Sequence, residues 1–387
     1  MWMVEFRFFR LFRERGTMNE KMIFPTPSSF KIKSAQREYP VEFSPTVEDI
    51  AQKVSQIKNR LFIIDQNVRK LYGQTLEPIM NGFPVLEIEA TEDAKTFGGI
   101  EKVLNWLSEN KCTKANHLVA IGGGIIQDIT TFSTCIFFRG IPWTLVPTTL
   151  LSMSDSSIGA KCGINLKTFK NQLGVFNSPY AILITPEFLK TLSIDDIKSG
   201  YGEILKLHLT GGFEKFVELE KDLEQQEELL SPATAKHIYD SLMVKKKVIE
   251  EDEYESDLRR ILNYGHTFGH ALEAETNHFV PHGLGVMWGI DFVNFFAFEK
   301  GWLEKSKYSR IKKVILNHFG FKNTKFVSAE GLLTAARRDK KAASASEVNM
   351  VYFTENNCLE IKKTALDEEF KSLLERYLLN EDVFYRS

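Results

Sequence analysis

The sequence predicts a chain in two parts: an α/β domain built on a parallel sheet, then a mostly helical domain. Between residues 60 and 190, short runs of consecutive apolar residues alternate with helical stretches. These runs lack the strict polar/apolar alternation of a half-exposed strand, so they read as strands buried on both faces of a parallel sheet. Beyond about residue 190 the apolar residues recur with the helical period and strand signals nearly vanish. A length of 387 residues fits two domains. The expected division is an N-terminal extension over 1–20, an α/β domain over 21–190 and a helical domain over 191–387.

The elements follow in order. Residues 61–64 form an apolar run closed by Asp65, and 85–88 form a second. A helix is expected over 92–107. Residues 118–121 run straight into Gly122-Gly123-Gly124, residues 144–146 end at Pro147, and 181–184 end before Pro186. Helical periodicity then covers 213–230, 233–251, 258–274, 284–300 and 308–319. Residues 348–353 and 359–362 read as a small hairpin turning over 355–357.

Composition excludes several classes. Apolar residues make up 43% and charged residues 26%, the balance of a globular chain. A net charge of -2 asks for neither nucleic acid nor an anionic membrane as partner. No apolar run reaches the roughly 18 residues of a membrane span. The longest candidate, 286–298, is interrupted by Asp291 and Asn294. None of the four cysteines (Cys112, Cys135, Cys162 and Cys358) lies in a Cys-x-x-Cys pair, so reduced thiols and a cytoplasmic location are expected. Residues 1–15 mix aromatic and arginine side chains, contain acids and lack serine, which disfavours a transit peptide.

Gly122-Gly123-Gly124 follows a strand and opens a helix. Glycines let a backbone approach an anion, and the helix N-terminus offers free amides. The spacing is not the Gly-x-Gly-x-x-Gly fingerprint. Asp128 lies one turn on. Asp65, at a strand's carboxyl end, suits ribose hydroxyls.

Residues 259–270 read Arg-Arg-Ile-Leu-Asn-Tyr-Gly-His-Thr-Phe-Gly-His. Continuous helical spacing puts Arg259, Asn263, His266 and His270 on one face. His266 and His270, at i and i+4, form a candidate metal pair, with His282 as a third histidine. Glu203 and Lys206, at i and i+3, share a helix face; Glu203 reads either as a further ligand or as an ion-pair partner of Lys206. Between Arg139 and Asn171 lie sparse polar residues among small apolar ones: Thr148, Thr149, Asp155, Lys161, Lys170 and Asn171. Buried lysines need an anionic partner, which a phosphorylated ligand supplies.

With these motifs in order from about residue 60 to 360, the chain resembles the 3-dehydroquinate synthase and sugar phosphate cyclase family. The shared segments are Gly122 to Asp128, Arg139-Gly140, Pro147 to Leu151, Asp155 to Gly159, Lys161 to Asn165, Lys170-Asn171, Glu203 to Lys206, Asp252-Glu253, and Leu262 to His270 with His282. The resemblance implies a Rossmann-like NAD-binding domain and one divalent metal, zinc or cobalt, held by Glu203, His266 and His282. His270 then becomes a substrate-phosphate or proton-transfer residue. NAD contacts map to Asp65, Glu92, Lys95, Gly123, Gly124, Asp128, Thr148, Thr149, Lys161, Lys170, Phe188 and Thr191. Substrate contacts map to Asp155, Lys161, Asn171, Lys206, Lys245, Arg259, Asn263, His270 and Lys341. Arg139 is implied to reach substrate phosphate across a homodimer interface.

The implied reaction is a redox-neutral lyase cycle on a phosphorylated sugar acid: transient oxidation of a ring carbinol, β-elimination of phosphate, reduction and aldol closure. Arg259 suits a substrate carboxylate by a bidentate fork, which favours the dehydroquinate reaction over cyclisation of sedoheptulose 7-phosphate. Four features depart from the family pattern: Gln127, Ala160, Cys162 and Tyr201-Gly202. They keep an aminodehydroquinate synthase in view. A metal-dependent polyol dehydrogenase of the glycerol dehydrogenase type is the other class, disfavoured because a neutral polyol needs no such cations.

Overall fold

The computed structural model describes residues 22–167, 169–277, 279–319, 327–337 and 347–379. The described chain divides into two compact units. The first runs to Ser193 and includes Leu230–Tyr239; the second comprises Ile194–Leu229 and the chain from Asp240 onward.

The first unit is a sheet of strands β1 (Phe30–Ile32), β2 (Tyr39–Phe43), β3 (Arg60–Asp65), β4 (Val85–Ile88), β5 (His117–Gly122), β6 (Trp143–Pro147) and β9 (Ala181–Ile184). Its seven strands lie in the order β1-β2-β9-β6-β5-β3-β4. All neighbours are parallel except β1 against β2. The central strands are dry, with Leu61 to Ile64 and Leu118 to Ile121 at most 2% exposed, as continuous apolar runs require. Strand β1, at the edge, and β2 beside it extend the expected sheet. In β2 a Tyr-x-Val-x-Phe alternation buries only one face, and Pro40 sits in it, so the run carries none of the all-apolar signal of the central strands. A short hairpin, β7 (Ile164–Leu166) and β8 (Phe169–Leu173), occupies part of the cationic region.

Helices α1 (Val47–Ser55), α2 (Gln66–Met80), α3 (Phe97–Glu109) and α4 (Gly124–Ile136) follow strands or turns. The helix expected from residue 92 starts at Phe97. Thr96 caps it by accepting the Gly99 amide at 3.3 Å, which leaves Glu92 and Lys95 in the preceding turn.

In the second unit, α5 (Ile194–Thr210) and α6 (Phe213–Glu224) precede α7 (Thr234–Glu251), whose start belongs to the first unit. There follow α8 (His266–Glu275), α9 (His282–Glu299), α10 (Lys305–Phe319), α11 (Ala329–Arg337), the antiparallel hairpin β10 (Glu347–Phe353) and β11 (Leu359–Ala365), and α12 (Glu368–Leu379). Helix α9 is buried nearly all round, as its uniformly apolar surface demands. Phe268, Phe370 and Tyr377 pack on Phe292 with ring centroids 4.7, 5.7 and 5.2 Å away. The two polar residues that break the α9 run each accept one hydrogen bond inside: the Tyr377 hydroxyl donates to Asp291 at 2.7 Å, and the Tyr264 hydroxyl to Asn294 at 2.5 Å. Among the described residues no helix is long and apolar enough to cross a membrane.

The expected single helix over 258–274 is two elements. Leu258–Asn263 is a 3-10 turn, and α8 starts afresh at His266. Gly265 separates them at φ 75°, a left-handed conformation that interrupts the helical period. Arg259 and Asn263 therefore do not continue the His266–His270 face.

Candidate active site

In the first unit the polar groups gather at strand carboxyl ends. The order of strand addition reverses between the parallel neighbours β3 and β5: β3 leads to β4 on one side, β5 to β6 on the other, with Ile64 opposite Ile121. Such a switch point is where open α/β sheets take ligands. Asp65 ends β3, Gly122 ends β5, and Pro147 ends β6 directly opposite Gly122. Helix α4 has no side-chain cap on its Gly123 N-cap. A Cβ on Gly123 would stand 2.8 Å from Thr149 Cγ2, so the backbone sits where no side chain fits. That cradle suits a dinucleotide pyrophosphate.

Around it, Asp65 accepts the Asn67 amide at 2.7 Å as the α2 cap. Lys95 Nζ lies 2.6 Å from Asp128 Oδ2. Burial works against both charges. It leaves the Asp128 carboxyl above its ordinary value despite Lys95, while Asp128 keeps Lys95 firmly protonated. Cys162 beside this pair is pushed up to about 12 by burial and then by Asp128, so its thiol stays neutral. Glu92 accepts from Asn165 Nδ2 at 2.8 Å and lies 3.8 Å from Lys170 Nζ. Thr148 is buried, and the Thr149 hydroxyl donates to Ser152 Oγ at 2.9 Å. Phe188 packs on Tyr72 at 4.8 Å, and the Tyr72 hydroxyl is 3.1 Å from Thr191 Oγ1.

Asp155 is buried in a π-helical turn, Ser152–Ser156, a form often found at functional positions. Gln127 ties this turn to α4: its Nε2 donates to the Ser156 carbonyl at 2.6 Å, and its Oε1 accepts from Ser156 Oγ at 3.0 Å. Lys161 is exposed. Asn171, at φ 53°, packs its amide over Gly163, where a Cβ would meet it at 2.6 Å. Phe138 and Arg139 are both left-handed, at φ 50° and 63°, with Phe138 half exposed.

The second unit holds the other set. Glu203 on α5 is 1% exposed and touches Lys206 Nζ one turn on. His266 opens α8, His270 is one turn later, and His282 opens α9. Three helices bring these short side chains together by backbone contact at glycines. A Cβ on Gly289 would stand 2.0 Å from the Gly265 carbonyl oxygen, one on Gly269 2.9 Å from Gly285, and one on Gly202 2.1 Å from the Gly283 carbonyl oxygen. The ring nitrogens of His266, His270 and His282 consequently lie within 4.8 Å of one another.

Glu203 Oε1 is 3.1 Å from His282 Nε2 and 3.5 Å from His266 Nε2. Both histidines are engaged at Nδ1, His266 with the Tyr264 carbonyl at 3.1 Å and His282 with Glu273 Oε1 at 2.8 Å. Two Nε2 atoms and one buried carboxylate oxygen make a donor set that fits a catalytic zinc-type ion with an open position. Burial opposes charge on His282, but Glu273 and then Glu203 raise its pKa to about 10. His270 stacks on His282 at 5.5 Å.

Arg259 and Lys245 are buried. The Arg259 amide donates to Asp252 Oδ2 at 3.0 Å, and its guanidinium donates to the Glu253 carbonyl. Asp252 also accepts the Ser256 and Asp257 amides at 2.9 and 2.8 Å. Asn263 Nδ2 donates to Glu255 Oε1 at 2.9 Å. Lys341 lies outside the described residues. Glu273 and Gly265 were missed from the sequence. Glu273 follows His270 by three on the same helix face, a spacing that would have revealed it.

Comparison with known proteins assigns the chain to a family. Residues 85–199 match the family model described as 3-dehydroquinate synthase N-terminal, and 200–342 match 3-dehydroquinate synthase C-terminal. A 3-dehydroquinate synthase of Dictyoglomus turgidum is 38% identical over 281 residues, 71% of this chain and 77% of that one. One from Alkaliphilus metalliredigens is 33% identical over 82% of this chain and 90% of its own. Among solved structures, 2-epi-5-epi-valiolone synthase from Streptomyces hygroscopicus, with NAD+ and Zn2+ bound, shares the fold at TM-score 0.78 and 24% identity, covering 90% of this chain and 99% of that one. The chain belongs to the 3-dehydroquinate synthase family.

Proposed function

We propose that this chain converts 3-deoxy-arabino-heptulosonate 7-phosphate to 3-dehydroquinate and phosphate, as a carbon–oxygen lyase dependent on NAD and a divalent metal. The observation that carries the reading is the convergence of His266 and His282 on the buried Glu203 carboxylate, in a chain that keeps a buried Arg259. Glu203, His266 and His282 would hold the metal. Asp65, Glu92, Lys95, Gly123, Gly124, Asp128, Thr148, Thr149, Lys161, Lys170, Phe188 and Thr191 would hold the dinucleotide. When bound, NAD supplies a reversible hydride acceptor and the ion Lewis-acid polarisation of a substrate oxygen.

The chain's own residues bind and orient. Arg259 takes the substrate carboxylate by two parallel hydrogen bonds. Lys161, Asn171 and His270 hold the phosphate dianion so that it removes the acidified ring proton itself and then leaves. Positioning of this kind makes the elimination intramolecular. Asp155, Lys206, Lys245, Asn263 and Lys341 complete the substrate contacts. Arg139, on its strained exposed turn, serves the phosphate of a second copy in a homodimer, and the enzyme works in the cytoplasm.

The test supplies 3-deoxy-arabino-heptulosonate 7-phosphate with catalytic NAD+ and Zn2+, and follows phosphate release and carbocycle formation. Turnover without NADH accumulation is expected. Stoichiometric NADH from a polyol would sink the proposal in favour of a dehydrogenase. Turnover of sedoheptulose 7-phosphate alone would replace the substrate.

A further inference from the structure

We propose that Glu273 is a positioning residue for His282, fixing which ring nitrogen that histidine offers to a metal and how strongly it donates. The proposal rests on the metal reading above. Its basis is a relay within the second unit. Glu273 Oε1 lies 2.8 Å from His282 Nδ1, and His282 Nε2 lies 3.1 Å from Glu203 Oε1. A carboxylate only accepts, so without an ion each ring nitrogen directs a hydrogen at a carboxylate, and the shorter bond to Glu273 keeps the hydrogen on Nδ1, leaving Nε2 as the nitrogen that would give up its hydrogen to coordinate an ion. The ring is held at both nitrogens.

The placement is built, not incidental. His266, His270 and Glu273 are spaced four and three along α8, so ligand and clamp share one helix face. Glu273 is 6% exposed, and a buried carboxylate persists only where it is bonded. Opposite it stands Gly285, where a Cβ would be 3.4 Å from Glu273 Cγ and 3.6 Å from Oε1. A larger residue there would press on the clamp.

The two histidines are treated differently. His266 Nδ1 faces a neutral partner, the Tyr264 carbonyl at 3.1 Å, whereas His282 Nδ1 faces a carboxylate. An anionic partner makes the imidazole a stronger donor and locks its orientation, and removing such a partner typically weakens metal affinity by about 10- to 100-fold. His282 is thus the ligand whose hold on the ion depends on a side chain that touches neither ion nor substrate.

The experiment titrates the metal-free full chain with Zn2+ against a competing chelator, and records the visible spectrum of the Co2+ form. It compares wild type, Glu273→Ala, Glu273→Gln and His266→Ala. Glu273→Ala should weaken Zn2+ about 10- to 100-fold and shift the Co2+ bands. Glu273→Gln, whose amide oxygen still accepts from Nδ1, should recover part of the affinity and fold even where the alanine variant does not. Wild-type affinity and spectrum in both Glu273 variants would overturn the proposal. Should His266→Ala bind Zn2+ like wild type, the metal reading itself would fall. Loss in His266→Ala with none in either Glu273 variant would remove only the clamp.

Discussion

Gly289 and Gly265 touch backbone to backbone: a Cβ on Gly289 would stand 2.0 Å from the Gly265 carbonyl oxygen. This contact sets the start of α8, and with it His266, against α9. Gly289→Ala should destabilise the fold by about 1–3 kcal/mol through overpacking. It should also lower bound metal, because His266 must shift with the helix. Urea unfolding and metal analysis check both; an unchanged midpoint with full metal content would contradict the packing argument.

Glu203 supplies the buried oxygen that faces both Nε2 atoms. Glu203→Gln keeps its shape and removes its charge, leaving Lys206 buried beside a neutral group. The variant should retain no metal after dialysis and should be destabilised by about 3–5 kcal/mol, the cost of breaking a buried ion pair. Elemental analysis and denaturant titration measure the two effects.

Asp252 gathers three amides, those of Ser256, Asp257 and Arg259, and so shapes the turn that presents Arg259. Burial pushes its carboxyl up, but these donors outweigh it and hold the carboxyl well below the usual range. Asp252→Asn and Arg259→Lys should both reduce kcat/KM for the acid substrate while leaving metal content intact. For Arg259→Lys the loss of the bidentate fork predicts about 2–5 kcal/mol in kcat/KM. Equal loss of metal would place Arg259 with the metal ligands instead.

Gln127 makes two hydrogen bonds to Ser156, at 2.6 and 3.0 Å. Gln127→Ala leaves the part-buried Ser156 carbonyl without this donor, at a cost of about 0.5–1.5 kcal/mol for each hydrogen bond lost. The π-turn bearing Asp155 should loosen from the glycine cradle, and NAD affinity should fall about tenfold by calorimetry. Unaltered NAD binding would make this tie purely structural.

His117 spans β5 and β6 through Thr144 Oγ1 at 2.8 Å, and burial depresses its pKa to about 4. Unfolded histidine titrates near 6.5. The unfolded state therefore binds the proton first, and this group's stabilisation is present above about pH 6.5 and lost as pH falls toward 4. Thermal unfolding across that window should show a steeper decline in wild type than in His117→Asn; identical slopes would refute the assignment.

The sequence alone determined the buried strands, the glycine turn after β5 and the family, and it offered candidate metal ligands, since each is written in local order. Apolar runs at 61–64 and 118–121 declare a parallel sheet because a strand buried on both faces tolerates no polar alternation. Residue 265 marks the limit. The helical period read through it, yet a glycine at φ 75° splits the segment and takes Arg259 and Asn263 off the histidine face. Only the tertiary structure decided that Glu203, from a helix far away in sequence, meets His282, and that Glu273 grips the same ring. Those meetings depend on how near helix backbones approach at Gly202, Gly269 and Gly289. Periodicity reports which side of a helix a residue is on, whereas distance between helices is fixed by the packing of all their neighbours.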